Sequence, residues 1–324
     1  MSPVPAIDQQ GVKLGWRSLL AFGQEANYGE RATPDRSFEF RSESLTMDQE
    51  RIESEAIRRS EFSPRWGEGT RGVEGDVTFE LANKGFGLLF LNAFGEVATT
   101  ETVVGEVWEH VFTAADLTDK SLTCQVVRDD VPFDYTGLKI GQLQLSCQVG
   151  QIATVQLSLV GRDEQTDQTE HAEAFPSDLQ LLTFIHGSLE IDDEEIAVNE
   201  VQNTLNNGLN TDRRRLGSGL RRNPQRTAFR DFTGNFNADF TDLALYNRFI
   251  SGEHAKLVQK FEGAEIGSTG ENYSLTITSH VRFDGNTPTV GGPDEIRQEI
   301  PFKAFPTDTE DAVEFAYVTD DETP

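Results

Sequence analysis

Five histidines, two cysteines and one run of four acids are the residues of this 324-residue sequence whose types could do chemistry. His110, His171, His186, His254 and His280 are scattered, with no H-E-x-x-H spacing and no Cys/His pair at a zinc-site interval. They read as surface or core residues. Cys124 and Cys147 each lie in a strand-like run without a motif for nucleophilic work, and two thiols in so long a chain make no disulfide framework. Both are expected to be free and packed. Asp192, Asp193, Glu194 and Glu195 could hold a hard cation, but they lack the spaced oxygen ligands of a calcium loop, so a solvated hairpin turn is expected. The glycines of KGFGLLF and GNTPTVGGP follow neither dinucleotide-fold nor P-loop spacing. Triads are made by geometry, so missing motifs do not exclude an enzyme. No residue can be named as a catalyst, however, and the expectation is a protein with no activity, cofactor or metal.

Arginine is the residue type that is concentrated. Residues 51–71 hold Arg51, Arg58, Arg59, Arg65 and Arg71 against four glutamates, a net of +1. Residues 213–230 hold Arg213, Arg214, Arg215, Arg221, Arg222, Arg226 and Arg230 with no acid, a net of +7. The whole chain carries −27, so these +8 leave −35 on the rest. Guanidinium forks pair with carboxylates and are favoured at interfaces, so a basic loop on an acidic body fits contact with another copy of the same chain. A phosphate-binding arm is the rival use and a solvated loop the bland one. The acidic total disfavours sequence-specific DNA binding. Loops of about twenty residues without structure of their own are either functional or disordered. The interleaved Ile57, Phe62, Trp66, Leu216, Leu220 and Phe229 argue against full disorder.

Strands must carry these loops. FEFRSESLTM (38–47), GDVTFELA (75–82), WEHVFTA (108–114), SLTCQVVR (121–128), GLKIGQLQLSCQV (137–149) and IATVQLSLVG (152–161) alternate apolar with polar residues, as half-buried strands do. Within KGFGLLFLNAFGE (84–96), Phe86, Leu89, Phe90 and Ala93 fall at helical spacing and Gly95 is placed to stop the helix. The fold class is therefore mainly β. No segment is apolar enough to span a membrane. The opening MSPVPAIDQQGVKLGW lacks the basic and apolar regions of a secretory signal, which points to folding in a cytoplasm.

The order of elements repeats. Sliding the sequence by 159 puts Gly75 on Gly234, Val77 on Phe236, Leu81 on Phe240, Phe86 on Leu245 and Phe90 on Phe249, which predicts a second helix over 242–252 carrying Leu245 and Phe249. Farther on, a shift of 145 brings Val155 onto Ile300 and Leu157 onto Phe302, so about fourteen residues are missing from the second copy, explained by a shortened hairpin around 128–135. An internal duplication follows. Residues 162–178 are polar and acidic and read as a linker. The expected organisation is a first domain over 1–165, an acidic linker over 166–180, a second domain over 181–308 and an acidic C-terminal tail over 309–324. Each domain is a β-sandwich or barrel with one short flanking helix and a long Arg-bearing loop.

The chain resembles the tail tube proteins of long-tailed double-stranded DNA phages and related viruses over nearly its whole length. The segments that carry the likeness are AFGQEANYGERATP (21–34), SESLTMDQERIESEAIR (42–58), GVEGDVTFEL (72–81), GFGLLFLNAFG (85–95) and FDYTGLKIGQLQLSCQVGQIATVQLSLVGRD (133–163). NNGLNTDRRRLGSGLRRNP (206–224), FNADFTDLALYNRFISG (236–252) and VRFDGNTPTVGGPDEIRQEIPFKAF (281–305) continue it. These are packing and turn patterns, specific in combination. The resemblance implies sandwich domains whose sheets join neighbours into rings, with the twelve arginines above on loops that reach the adjoining ring. Rings stacked into a hollow virion tail would conduct DNA into the host. A duplicated chain would need three copies, not six, to supply six tube units, which favours a homotrimeric pseudo-hexamer. The implied partners are the chain itself, the tape measure protein and viral DNA in the lumen without sequence-specific binding, and terminator and baseplate proteins at the ends, with no membrane. A terminator or baseplate ring protein is the alternative within this class, and a monomeric β-sandwich surface-binding module the alternative outside it.

Overall fold

Strands with period-two burial make up most of the molecule, and two short helices interrupt them. The computed structural model describes residues 13–63, 65–285, 287–288, 290, 292–293 and 295–324. Most of the opening segment read for a secretory signal, and parts of the GNTPTVGGP run, lie outside the described residues. The first half of the chain contains β1 (Leu19–Gln24), β2 (Arg36–Phe38), β3 (Phe40–Glu43), β4 (Thr46–Glu53), β5 (Trp66–Glu80), helix α1 (Gly87–Phe94), β6 (Gly95–Val103), β7 (Val107–Ala114), β8 (Leu122–Arg128), β9 (Val131–Gln148), β10 (Thr154–Gly161) and β11 (Asp163–Gln165). The second contains β12 (Gly187–Ile191), β13 (Glu194–Glu195), β14 (Val198–Asn206), β15 (Leu209–Asn210), β16 (Gln225–Arg226), β17 (Asp231–Asp239), helix α2 (Ala244–Ser251), β18 (His254–Glu265), β19 (Asn272–Phe283), β20 (Arg297–Ala304) and β21 (Val313–Thr319). Every strand pair is antiparallel.

In the first half β5 runs between β3 and β4 on one side and β10 on the other, and β10 continues to the C-terminal part of β9. The N-terminal part of β9 instead joins β8, β1 and β2 in a separate sheet, with β11 on its far side. A bulge where Leu159 pairs with Ile140 and Ser158 with Gln142 leaves Gly141 unpaired and turns β9 from one sheet to the other. The second half sets β14 beside β17 and β17 beside β20, and packs β12, β18, β19 and β21 as a neighbouring group.

The pairing registers of the halves coincide residue for residue. Phe40 faces Phe79, then Ser42 faces Thr78 across a bulge; Val198 faces Ala238, then Glu200 faces Asn237 across a bulge. The shift between these positions is 158 on the first strand and 159 on the second. Gly75 and Gly234 correspond, and for the same reason. A Cβ on Gly75 would lie 2.5 Å from the Ser44 carbonyl oxygen, and one on Gly234 would lie 2.4 Å from the Gln202 carbonyl oxygen, the matching atom one shift along. Both helices stop at a left-handed glycine, Gly95 and Gly252, 157 positions apart. One alignment needs correction. Leu157 pairs with Val77 and Ile300 with Phe236, so β10 corresponds to β20 at a shift of 143, two fewer than sequence matching gives. A slip of two keeps every side chain on its own face, so a period-two pattern cannot detect it.

Two joints tie the halves together. The free edge of β9 takes β14, with Leu143 facing Leu205 and Cys147 facing Val201. β21 runs between β19 and β7, with Phe315 facing Phe112 and Ile277. Residues 309–324, read from their charge as an acidic tail, therefore contain a strand. Glu314, Ala316 and Val318 alternate with buried Val313, Phe315 and Tyr317, and that alternation outweighs the acid count. Lys84 Nζ holds Asp320 at 2.9 Å and the Gly85 N–H donates to Asp321 at 2.8 Å. The acidic stretch 166–180 has almost no regular structure but is pinned to the first half, the Ser37 N–H donating to the Ala174 carbonyl at 3.1 Å and the Asn83 N–H to that of Gln180 at 3.0 Å. One apolar cluster runs through both halves, from Leu20 to Tyr317. α1 lies in its middle, with Phe90 edge-on to Phe112, Phe315 and Tyr317 at centroid separations of 5.6–5.7 Å. Each such ring withdrawn from water stabilises the fold by about 2–3 kcal/mol. α2 has no buried residue.

Candidate assembly surfaces

Most of the histidines and both cysteines are absorbed into structure, while His254 and the run Asp192–Glu195 are exposed. His110 sits in the core, Nδ1 bonded to Thr99 Oγ1 and Nε2 to the Asp321 carbonyl, both at 2.9 Å. His186 Nδ1 accepts the Thr183 N–H at 2.9 Å, and His280 lies 3.1 Å from Glu310. Burial pushes the Cys124 thiol well up and that of Cys147 to about 11, which leaves both as unreactive packing groups at neutral pH. Asp192 takes a left-handed turn beside Arg248, whose guanidinium bonds its carboxylate and helps hold it ionised. Among the described residues no group of three or more His, Cys, Asp or Glu side chains is placed to hold a metal. No described helix is long and apolar enough to cross a membrane.

The two arginine loops are built differently. Residues 54–65 close the β4–β5 hairpin, where the Ser54 N–H donates to the Arg65 carbonyl at 2.8 Å and Ser63 Oγ to that of Ser54 at 2.9 Å. Beyond that neck the loop stands in solvent. Arg51, Arg58, Arg59 and Arg65 are exposed and make no ion pair among the described residues, and Ile57, Phe62 and Trp66 are exposed between them. The Arg51 guanidinium lies 5.9 Å from the Trp66 ring centroid, which keeps the cation on the apolar face of the hairpin.

The second loop, residues 207–230, lies down on the first half of its own chain. Arg221 is 6% exposed; its Nη1 donates to the Val73 carbonyl at 2.9 Å and the Gly161 carbonyl at 3.1 Å, and its Nη2 meets Glu74 at 2.5 Å. Arg214 donates to the Arg71 carbonyl and Arg213 to that of Asn223, both at 2.6 Å. Arg230 donates to the carbonyls of Phe94 and Ala115 at 3.0 and 3.1 Å, and its burial, with Arg226 nearby, pulls its pKa down to about 10. Arg71 Nη2 is 3.6 Å from Asp163, and its N–H donates to the Gly219 carbonyl at 2.9 Å. Five of the twelve arginines picked out by sequence are thus engaged within the chain. Arg215, Arg222 and Arg226 stay exposed and, among the described residues, without an ion-pair partner. A tract with seven cations and no acid shows its charge in sequence but not the backbone carbonyls it will meet, because acceptors leave no compositional trace.

Of the helix residues, Phe86, Leu89 and Phe90 are in the core, while Leu245 and Phe249 are half-buried against the second half. Composition gave no weight to Asn207. Its buried Nδ2 donates to the carbonyls of Ala93 at 3.0 Å and Ile140 at 2.9 Å, clamping β14 to α1 and β9. The N-N-G sequence at 206–208 is its only local signal.

Sheet edges complete the surface. Among the described residues β3 and β4 pair with β5 alone, so one side of each presents unpaired backbone groups, and β20 pairs with β17 from 297 to 303 but with β19 only from 302 to 304. Long unpaired edges are templates for another chain.

A family model described as phage tail tube protein matches residues 15–304. No curated protein matches the chain.

Proposed function

The chain belongs to the phage tail tube protein family, a structural component of the virion tail that associates with itself, and from that premise we propose that three copies close into a ring and that rings stack into a hollow tube for DNA. The register of β14 on β9 is the observation that supports it most. One edge-to-edge joint already exists inside the chain, and the strands equivalent to β14 by register, β3 and β4, have their outer edge open. A chain built of two like units closes into a ring when copies are added in sequence, and two units per chain make a trimer the counterpart of six units.

The exposed β4–β5 hairpin is the stacking finger in this reading. It offers Arg58, Arg59 and Arg65 with Ile57 and Phe62 to the acidic body of the adjoining ring, and Arg215, Arg222 and Arg226 present a second basic strip. Ring-on-ring contact is heterologous and does not close, which is the symmetry of a filament. An acidic lining would keep phosphate from adhering during DNA passage. Tape measure protein inside and terminator and baseplate proteins at the ends would complete the tail.

Negative-stain images of purified protein, with native mass measurement, test this. Rings of three chains that grow into tubes are expected. Persistent monomer at high protein concentration would reject the reading, and rings that never stack would favour a terminator or baseplate protein.

A further inference from the structure

The joint between the halves has donors and acceptors that can be mapped by register onto a second pair of surfaces. On the donor side are the edge of β14, Asn207 clamped to the carbonyls of Ala93 and Ile140, and Arg230 clamped to those of Phe94 and Ala115. On the acceptor side are the outer edge of β9, which takes β14, and the C-terminus of α1, covered by Phe315 of the other half. Asn206 corresponds to Asp48 and Asp231 to Gly72 by strand pairing, so the next residue along β14 and the preceding residue of β17, Asn207 and Arg230, correspond to Gln49 and Arg71. Those two face each other across β4 and β5, are both exposed, and lie beside the open edge. Of these two acceptors, α1 has its counterpart in α2. It ends at Ser251 with Gly252 left-handed, as α1 ends at Phe94 with Gly95, and it leaves Leu243 and Ile250 55% and 62% exposed.

We propose that α2 is the receiving surface for a second copy of this chain, whose β3–β4 edge docks beside it with Arg71 donating to the C-terminal carbonyls of α2 and Gln49 to the carbonyl of Ile250. The contact between chains repeats in kind the contact within the chain, so that around a ring the two alternate. A cation at a helix C-terminus is favoured by the unpaired carbonyls there. Arg71 can be drawn to them at little cost, because its ion pair with Asp163 is 3.6 Å long with the arginine side chain 43% exposed. Docking would also cover Leu243 and Ile250, the apolar residues that α2 leaves in water. This inference rests on the ring reading and adds which two surfaces meet.

The test is a Gln49→Cys, Ile250→Cys double variant treated with a short thiol crosslinker; the native Cys124 and Cys147 are buried and serve as internal controls. Covalent dimers and trimers on a denaturing gel, absent from each single variant, are the expected result. Rings that form normally in images while the double variant stays uncrosslinked would overturn the docking surface and leave the ring reading intact. Failure of the wild-type chain to assemble at all would overturn both. Arg71→Glu gives a second readout, a ring dissociation constant raised at least about tenfold with an unchanged monomer melting curve. Arg71→Lys should recover part of the loss, and unaltered association in Arg71→Glu would also sink the proposal.

Discussion

Arg230 donates to the carbonyl of Phe94, the last residue of α1, at 3.0 Å. A residue at the end of the second arginine loop thereby closes a helix that belongs to the other half of the chain. A second bond to the Ala115 carbonyl uses the other Nη atom, so one guanidinium satisfies two acceptors at the joint.

Arg230→Ala should therefore destabilise the subunit. The Phe94 carbonyl keeps the Ala115 N–H at 2.8 Å, so the unmet acceptor is the Ala115 carbonyl, and such a loss costs about 1–3 kcal/mol when water cannot replace the bond. Urea unfolding should show a midpoint lowered accordingly with an unchanged slope. An equal loss in Arg226→Ala, whose side chain is exposed, would show that the effect is one of charge and not of these two bonds.

Arg221 and Arg222 are neighbours in sequence with opposite duties. Arg221 is buried on the Val73 and Gly161 carbonyls, whereas its partner Glu74 is 60% exposed and would be rehydrated, so Arg221→Ala should cost about 1–3 kcal/mol from the carbonyl bonds lost. Reversing Arg215, Arg222 and Arg226 together to Glu should leave the melting temperature nearly unchanged, since exposed substitutions stay within about 0.5 kcal/mol each. The same triple variant should yield rings but fewer or shorter tubes in electron micrographs. Tubes of normal length would remove this strip from the stacking surface.

These two arginines also mark how much was legible in the sequence. Strand alternation, both helices, the helix-stopping Gly95 and the correspondence of Gly75 with Gly234 could be read there, because each depends on local period or on a backbone position that only glycine fits. The slip of two between β10 and β20 could not, since a strand repeats itself every second residue. Nor could the separation of docked from exposed arginines. The fate of Arg221 is decided by the Val73 and Gly161 carbonyls, which carry no side-chain signature and sit 148 and 60 positions away. The C-terminal strand was hidden by the acids that flank it, Glu310 and Asp311 before and Asp320 and Asp321 after, while Val313, Phe315 and Tyr317 point inward.

Phe90 measures how far the halves depend on each other. Its ring meets Phe112 from the first half and Phe315 and Tyr317 from β21. Phe90→Ala should cost about 3–5 kcal/mol, and a single cooperative transition should be retained, because one cluster spans both halves. Two separated transitions in calorimetry would mean that the halves unfold independently and that this packing is not what couples them. Phe249→Ala, on the half-exposed α2, should cost well under half as much in the isolated subunit.

Lys139 sets a pH dependence whose sign follows from its burial. Its ammonium donates to the carbonyls of Leu117 and Thr118, and desolvation brings its pKa down to about 8 from an ordinary 10.5, against the opposing pull of Asp116 and Asp119. Between these two values the unfolded chain holds a proton that the folded chain has released, so the contribution of Lys139 to stability rises with pH across that window. The thiols of Cys124 and Cys147, held protonated in the fold by burial, act in the opposite sense, because in the unfolded chain they ionise near an ordinary value of about 8.5. Tyr28 and Tyr135 do the same at higher pH. The lysine is therefore read by difference. Chemical unfolding in steps across pH 7 to 9.5 should give a midpoint that falls more steeply with pH for Lys139→Met than for the wild-type chain. Equal slopes would show that the ammonium is as well solvated in the fold as in the unfolded chain.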